Sequence, residues 1–166
     1  MKRSISVINS GSSSIKFSLF SDVEAQELSL VFRGQVDGIG VAPRFVAKNA
    51  DGYGMAEKKW PNSPDVNHQG LMTYIVDWMR DNRKDMDQDL IGVGHRVVHG
   101  GSRYSRPVRV SSSVLQNLDG FVPLAPLHQP HNIGPIRTVA RLNPNLPQVA
   151  CFDTAFHRTN PKRARH

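Results

Sequence analysis

The first twenty residues constrain the fold most, because they place two strand patterns on either side of a short polar turn. Apolar residues precede the turn, and after it apolar and polar residues alternate, with Ile15, Phe17 and Leu19 as the apolar set. Alternation with a period of two is typical of a strand that has one buried face. The chain is therefore expected to begin with a β-hairpin that belongs to a larger sheet.

The turn of this hairpin, residues 9–14, reads Asn-Ser-Gly-Ser-Ser-Ser, and Lys16 follows it. Successive backbone N–H groups in a tight turn form a concave site for anions, most often phosphate. Gly11 can adopt a positive φ there without a steric penalty, and Lys16 supplies a positive charge nearby. The pattern is typical of a phosphate-binding turn, and an ordinary hairpin with a serine-rich turn is the alternative.

Length and composition indicate a globular chain of one domain, or one domain and part of another. It has 166 residues, 39% of them hydrophobic and 21% charged. No apolar run approaches the ~20 residues that would span a membrane, and the basic start at residues 1–4 lacks the apolar core of a signal peptide. The single cysteine, Cys151, excludes an intrachain disulfide and fits the reducing cytoplasm.

The charge is basic but mild over most of the chain. Lys162, Arg163 and Arg165 supply three of the +7 charges, which leaves +4 on residues 1–161. Such a charge suits an anionic substrate as well as nucleic acid. Because no aromatic residues are interleaved with a basic run, nucleic-acid binding is not expected.

Further along the chain, the patterns predict alternating strands and helices and therefore an α/β domain. The predicted strands are Leu28–Val36, Leu90–His99 and Gln148–Phe152, with a loop-rich edge hairpin in Asp37–Pro64. The predicted helices are Val66–Arg80 with Asp65 as N-cap, a short helix through Leu118 with Ser111 as N-cap, and Ile133–Leu142; Asp81–Asp89 is a connection. Leu90–His99 is nearly apolar on both faces, as a central parallel strand would be.

In open α/β sheets, ligands bind beyond the carboxyl ends of the strands. The Asn9–Ser14 turn, the segment His95–Gly101 and Asp153 should all reach that edge, and His128 precedes a helix that could bring it there. We therefore expect the site at this edge.

Arg96 and Asp153 are the first candidates for chemistry at this edge. A guanidinium binds a carboxylate or phosphate through two parallel hydrogen bonds. Because a charge within an apolar strand is costly to bury, a functional role for Arg96 is favoured. The alternative is a structural arginine paired with a nearby acid. Asp153 suits an acid that holds a divalent cation during phosphoryl transfer, and a helix N-cap is the alternative.

The histidines do not form a typical metal motif, because His95 and His99 lie in a strand pattern and no His-Glu-x-x-His occurs. Packing roles are expected for His95, His99, His131 and His157. His128 is better placed as a donor to an anionic oxygen.

Four blocks together resemble the acetate kinase family, which includes propionate and butyrate kinases. They are Asn9–Lys16, Gly94–Gly101, Ala125–Asn132 and Phe152–His157. The resemblance implies a ribonuclease H-like domain of the acetate and sugar kinase, Hsp70 and actin superfamily, with a mixed sheet and flanking helices. It also implies reversible transfer of the ATP γ-phosphoryl group to acetate with Mg²⁺ or Mn²⁺, giving acetyl phosphate and ADP, by a cytoplasmic homodimer.

The resemblance also implies roles for individual residues. Asn9 is similar to the magnesium-site asparagine, and Lys16, Ser12 and Ser14 to the residues that bind the nucleotide phosphates. Arg96 resembles the arginine that holds the substrate carboxylate, with Val98 and Leu127 around its methyl group and His128 lining the site. Asp153 resembles the essential acid, a proton donor or acceptor close to the magnesium.

Family members are more than twice as long as this chain, so we expect an N-terminal domain in residues 1–161, an irregular basic tail in residues 162–166, and no nucleotide domain. These residues alone are expected to have little activity. Acetate, propionate and butyrate are hard to separate as substrates, since one methylene is worth only about 1–3 kcal/mol. A non-catalytic anion-binding fragment is the remaining alternative.

Overall fold

A computed structural model describes residues 1–21, 27–61, 63 and 65–153. Within these ranges the chain forms eight strands, three α-helices and one short 3-10 helix: β1 Lys2–Ser10, β2 Ile15–Ser21, β3 Ser29–Asp37, β4 Arg44–Asn49, β5 Gly54–Lys59, α1 His68–Asp85, β6 Gln88–Val97, β7 Val108–Arg109, α2 Ser112–Asp119, the 3-10 helix Val122–Leu124, α3 Gln129–Leu142 and β8 Gln148–Phe152. The basic tail expected in residues 162–166 lies outside the described residues.

All eight strands form one mixed sheet in the order β5-β4-β3-β2-β1-β6-β8-β7. Strands β1 to β5 are an antiparallel meander, β1, β6 and β8 run parallel, and β7 closes the far edge antiparallel to β8. The predicted α/β fold with a mixed sheet and flanking helices is confirmed. The hairpin predicted within residues 37–64 is β4 and β5, and it lies at the sheet edge as expected.

Helix α1 packs its apolar face on the meander. Leu71, Met72, Ile75 and Met79 are buried there, against an aromatic cluster in which the Phe17 and Phe45 rings stack at 5.9 Å. A second core cluster joins α2 and α3 to β6 and β8 through Val97, Val114, Leu118, Ile133, Ile136, Ala150 and Phe152. Apolar burial of this kind contributes roughly 1.5–3 kcal/mol for each large side chain.

The predicted helix bounds need three corrections. The N-cap of α1 is Asn67, whose Oδ1 accepts from the Gly70 N–H at 2.9 Å, and not Asp65; both residue types cap well, so composition does not discriminate between them. The helix continues to Asp85 through residues predicted as a connection, and Arg83 and Lys84 favour its last turn by complementing the helix dipole. Helix α3 begins at Gln129 rather than Ile133, because Pro130 is tolerated in a first turn.

Helix α2 and strand β8 begin where they were predicted to begin. The N-cap Ser111 of α2 is confirmed, since its hydroxyl accepts from the Val114 N–H at 3.2 Å, and the strand Gln148–Phe152 is confirmed as β8. The short strand Val108–Arg109 was not predicted from the sequence. Among the described residues, no helix combines the length and apolarity that crossing a membrane requires.

The helices cover one face of the sheet, and the site residues lie on the other face. Ile8, Val97 and Phe152 are buried beneath the helices, whereas the neighbouring residues Asn9, Arg96 and Asp153 are half-buried or exposed. The prediction that β6 is a central parallel strand is confirmed, since it lies between β1 and β8 and runs parallel to both. Within the described part of the chain, however, only one of its faces is covered. Its burial alternates because its glycines and Arg96 occupy the open face.

Candidate functional site

Three parallel neighbours carry the candidate site, because β1 ends at Ser10, β6 at Val97 and β8 at Phe152. Parallel strands end at the same edge of a sheet, so Asn9, Arg96 and Asp153 meet there. Arg96 is 87 positions from Asn9 and 57 positions from Asp153 in the sequence. The spatial meeting of these three residues follows the expectation from strand order.

Arg96 lies at the centre of this group. Its Nε donates to both Asp153 carboxylate oxygens at 3.0 Å, and its Nη2 donates to Asp153 Oδ2 at 2.6 Å. Its Nη1 lies 3.4 Å from Asn9 Oδ1, a longer and weaker contact. These bonds raise the pKa of the Arg96 guanidinium above its ordinary value, chiefly through the hydrogen bonds to Asp153, so the cation is permanent.

Burial does not explain Arg96. Its side chain is 52% exposed and that of Asp153 is 34% exposed, so the expected desolvation cost of a charge inside an apolar strand is small. Arg96 is exposed because successive side chains of a strand point to opposite faces, and Arg96 points to the open face of the sheet. An exposed ion pair contributes about 0–1 kcal/mol, and the pairing with Asp153 is the arrangement that the structural interpretation of Arg96 anticipates.

The polar turn lies beside this group and is anchored through its backbone carbonyls. Ser10 C=O accepts from Asn132 Nδ2 at 2.7 Å, Ser13 C=O accepts from the Ile39 N–H at 3.1 Å, and Ser14 C=O accepts from the Gly11 N–H at 2.8 Å. In a trans peptide, the C=O of one residue and the N–H of the next point in opposite directions. Because Ser13 C=O faces Ile39, the Ser14 N–H points away from Ile39.

His68, at the start of α1, holds a further carbonyl of the turn. Its Nε2 lies 2.8 Å from Gly11 C=O, so the Ser12 N–H points away from α1 by the same peptide geometry. Gly11 does not use the positive φ that a glycine permits, since the described glycines with positive φ are Gly38, Gly40, Gly52 and Gly101. The turn closes as a hydrogen-bonded hairpin that needs no left-handed residue.

Lys16 lies opposite Asn9 in the antiparallel pair and is exposed, as is Ser12, while Ser14 is half-buried. Lys16 borders a groove of about 500 Å³ on the open face of the sheet, which Arg33, Arg44 and Lys48 also line. Of these, Arg44 donates to Glu57 at 3.0 Å. The groove therefore concentrates positive charge on the strands that follow the turn, as an anionic ligand would require.

The residues expected around the substrate methyl group are more open. Leu127 is 75% exposed, and Val98 is half-buried just after β6. His128 is exposed at the N-cap of α3. The described residues thus form one open wall and not an enclosed pocket around Arg96.

The other histidines have packing contacts. Buried His95 is within 2.6 Å of Gln148 Oε1, His99 Nδ1 accepts from the Gly101 N–H at 2.8 Å, and His131 stacks on His68 with ring centroids 4.4 Å apart. Burial, with smaller effects from His68 and His128, lowers the pKa of His131. His157 lies outside the described residues. No group of three or more histidine, cysteine or acidic side chains suited to a metal occurs among the described residues.

Sequence reasoning missed two amide residues on α3. Asn132 bonds to Ser10 and Val98, and Gln129 bonds to the backbone of His99 through both of its side-chain groups. Both are buried. The available signal was the spacing of two amides three positions apart at a helix start, which places them on one face.

The family model and the related acetate and propionate kinases that match this chain are all of one kind, the short-chain carboxylate kinases. The family model described as Acetokinase family matches residues 4–166. The acetate kinase of Nitrobacter hamburgensis is 47% identical over 157 residues, which are 95% of this chain and 38% of that protein. Over this stretch the two sequences are close relatives, and the chain spans under two fifths of the length of that relative.

Two solved structures have the same fold. A propionate kinase from Francisella tularensis superposes with a TM-score of 0.78 at 32% identity, over 97% of this chain and 39% of that one. The acetate kinase of Porphyromonas gingivalis superposes with a TM-score of 0.79 at 28% identity, over 97% of this chain and 40% of that one.

Proposed function

The chain belongs to the acetokinase family, and we propose that it carries the acetate-binding and phosphate-binding wall of an acetate kinase. The reaction is the reversible transfer of the γ-phosphoryl group of ATP to acetate. One observation carries the proposal: the Arg96 guanidinium contacts both Asn9 and Asp153 beside the anchored turn. A permanent cation, an amide oxygen and a carboxylate at a phosphate turn form a charge pattern that suits a small carboxylate meeting a phosphate.

Arg96 is proposed to bind the acetate carboxylate. Asp153 occupies the Nε and Nη2 side of the guanidinium, which leaves the edge at Nη1, next to Asn9, for a second oxygen ligand. A substrate carboxylate bound there would lie between Arg96 and the turn. In the transfer, a carboxylate oxygen forms a bond to the γ-phosphorus while the bond from that phosphorus to the ADP oxygen breaks.

Asp153 is proposed to orient Arg96 and to balance charge. A carboxylic acid such as acetate is already ionised at neutral pH, because its pKa lies near those of the acidic side chains. The forward transfer therefore removes no proton from acetate, and an acid–base role for Asp153 is not needed for that step. Its bidentate bond fixes the guanidinium plane.

Lys16, Ser12 and Ser14 are proposed to bind the nucleotide phosphates. The N–H groups of Ser12 and Ser14 point away from the anchored carbonyls, and Lys16, two residues after the turn, lines the basic groove. Backbone N–H groups of a tight turn with a lysine close by are a common phosphate cradle.

The proposed metal site uses Asn9 and Asp153. Their oxygens already face one cation, the Arg96 guanidinium, and amide and carboxylate oxygens are hard ligands of the kind that Mg²⁺ prefers. Two protein ligands are enough, since Mg²⁺ usually keeps waters and binds substrate phosphates. A bound Mg²⁺ or Mn²⁺ would neutralise charge on the transferring phosphoryl group.

Propionate is the second candidate substrate, because the Francisella tularensis structure is of a propionate kinase. Leu127 is 75% exposed, so it does not limit the size of the acid. One methylene changes binding by about 1–3 kcal/mol. Competition of acetate and propionate for the Arg96 site, followed by NMR, separates the two substrates.

We also propose that residues 1–161 form the N-terminal, ribonuclease H-like domain of a cytoplasmic homodimer and that a second domain supplies the nucleotide pocket. Phosphoryl transfer needs groups on both sides of a cleft. This polypeptide alone is therefore expected to turn over slowly, and turnover near ordinary kinase rates in an acetyl phosphate assay contradicts that expectation.

The test of the function is binding of acetyl phosphate, followed by amide chemical shifts of the ¹⁵N-labelled chain. We expect shifts at residues 9–16 and 96–98, and their loss in Arg96→Ala. Arg80→Ala is a matched control, because Arg80 is an arginine of α1 with 47% exposure. Equal losses in both variants, or shifts confined to other surfaces, refute the proposed function.

A further inference from the structure

The side chain of Asn132 connects the two halves of the proposed site. We infer that Asn132 is a positioning residue that fixes the phosphate turn relative to the strand carrying Arg96. The inference rests on the proposed function, since it concerns how that site is held.

Both functional groups of the amide are used. Nδ2 donates to Ser10 C=O at 2.7 Å, and Oδ1 accepts from the Val98 N–H at 2.7 Å. Ser10 is the last residue of β1 before the turn, and Val98 is the first residue after β6. One rigid amide thus connects the base of the turn to the backbone two residues from Arg96.

Burial makes these bonds strong constraints. Asn132 is 4% exposed, and a buried amide that loses its partners has no water to replace them. One helical turn earlier, fully buried Gln129 accepts from the His99 N–H at 3.3 Å and donates to His99 C=O at 2.9 Å. The start of α3 therefore holds both strand ends from behind the sheet, without touching the open face.

The separation of the two halves matters for the reaction. Acetyl phosphate has a carboxyl-derived end and a phosphate end, so it must contact Arg96 and the turn at the same time. A misplacement of about 1 Å can cost 10²-fold in such an arrangement. Inorganic phosphate and acetate each need only one half of the site.

This difference gives a direct test. We expect Asn132→Ala to weaken acetyl phosphate binding about tenfold, in line with loss of a buried hydrogen bond, while inorganic phosphate and acetate change by less than about twofold because each still has its own half. Asn132→Asp keeps an acceptor for the Val98 N–H but cannot donate to Ser10 when ionised, and it should behave similarly. Asn117→Ala is the matched control. Asn117 is a half-buried residue of α2, and its side-chain amide donates to the Tyr104 hydroxyl at 2.8 Å.

The outcomes decide between positioning and mere stabilisation. A uniform loss for all three ligands that follows the unfolded fraction, measured by circular dichroism, overturns the inference, as does wild-type affinity for acetyl phosphate in Asn132→Ala. If Asn132→Ala does not fold, the same ligand comparison in Asn132→Asp decides.

Failure of the proposed function is distinguishable. If the wild-type chain does not bind acetyl phosphate, the proposed function fails, and amide shifts of the free variants then judge Asn132. Changes at both residues 9–14 and residues 96–98 support its connecting role, and changes on one side alone overturn it.

Discussion

Acidification should destabilise this chain through His95. The imidazole is 2% exposed and lies under the helices on β6, one residue before Arg96. Burial lowers its pKa to about 4, although the hydrogen bond with Gln148 acts in the opposite direction. Folded His95 therefore stays neutral at pH values where an exposed histidine is charged.

The size of this destabilisation follows from the difference in proton binding between the folded and unfolded states. Above the unfolded pKa of about 6.5, both states are neutral and His95 adds no pH dependence. As the pH falls below that value, the unfolded state binds a proton that folded His95 does not accept until about pH 4. Stability then decreases by up to about 1.4 kcal/mol per pH unit, or about 3 kcal/mol over the interval.

Urea unfolding between about pH 7 and pH 4.5 measures this slope. We expect His95→Gln, which does not titrate, to have a shallower pH dependence than the wild type by about one proton. Burial also lowers the pKa of His131. The free energy of unfolding of His95→Gln should therefore still depend on pH, with a smaller slope than that of the wild type. Ile136→Val, a buried change without a titrating group, should lower stability equally at every pH. An unchanged slope in His95→Gln would refute the reasoning.

Substitutions at four positions test the packing, the cap of α2 and the site. Gly34→Ala should lower the free energy of unfolding by about 1–3 kcal/mol, because its Cβ would lie 2.3 Å from the Phe17 ring; urea unfolding with wild-type stability contradicts this contact. In contrast, Gly134→Ala has nothing within 4 Å of the new Cβ and should stabilise α3 by about 0.5–1 kcal/mol, so a loss in the same assay would count against the helix geometry. Ser111→Ala should cost about 1 kcal/mol by removing the N-cap bond of α2, and Ser111→Asp, which also caps, should restore it. Arg96→Lys should change stability by less than about 1 kcal/mol, since the ion pair is exposed, yet weaken acetyl phosphate binding at least about tenfold by losing bidentate geometry; NMR titration with unchanged affinity excludes a planar role for Arg96.

The sequence was informative where periodicity and residue type are local. The hairpin, the amphipathic face of α1, the cap at Ser111 and the strand Gln148–Phe152 follow from short-range patterns that the structure bears out. The meeting of Asn9, Arg96 and Asp153 could be predicted as well, because it needs only the rule that parallel strands share a carboxyl edge.

What could not be predicted depends on tertiary contacts. Nothing local says that Asn132 faces Ser10, since 122 positions separate them. The start of α1 was also ambiguous, because Asp65 and Asn67 are equivalent caps in isolation and local sequence does not select between them. The apolar run Leu90–His99 implied that both faces of the strand are covered. Whether Arg96 is buried depends instead on which face the helices cover.

The alternation of the strands determines which face of the sheet carries the site. Ile8, Val97 and Phe152 are buried, and each is a sequence neighbour of a site residue on the opposite face. A slip of β6 by one residue would place the Arg96 charge under α3 and turn Val97 to solvent, which loses apolar burial and isolates a cation from Asp153. The hydrophobic core thus excludes the register in which the site cannot form, and substitutions at Val97 should affect ligand binding through register even though Val97 lies on the far side of the sheet.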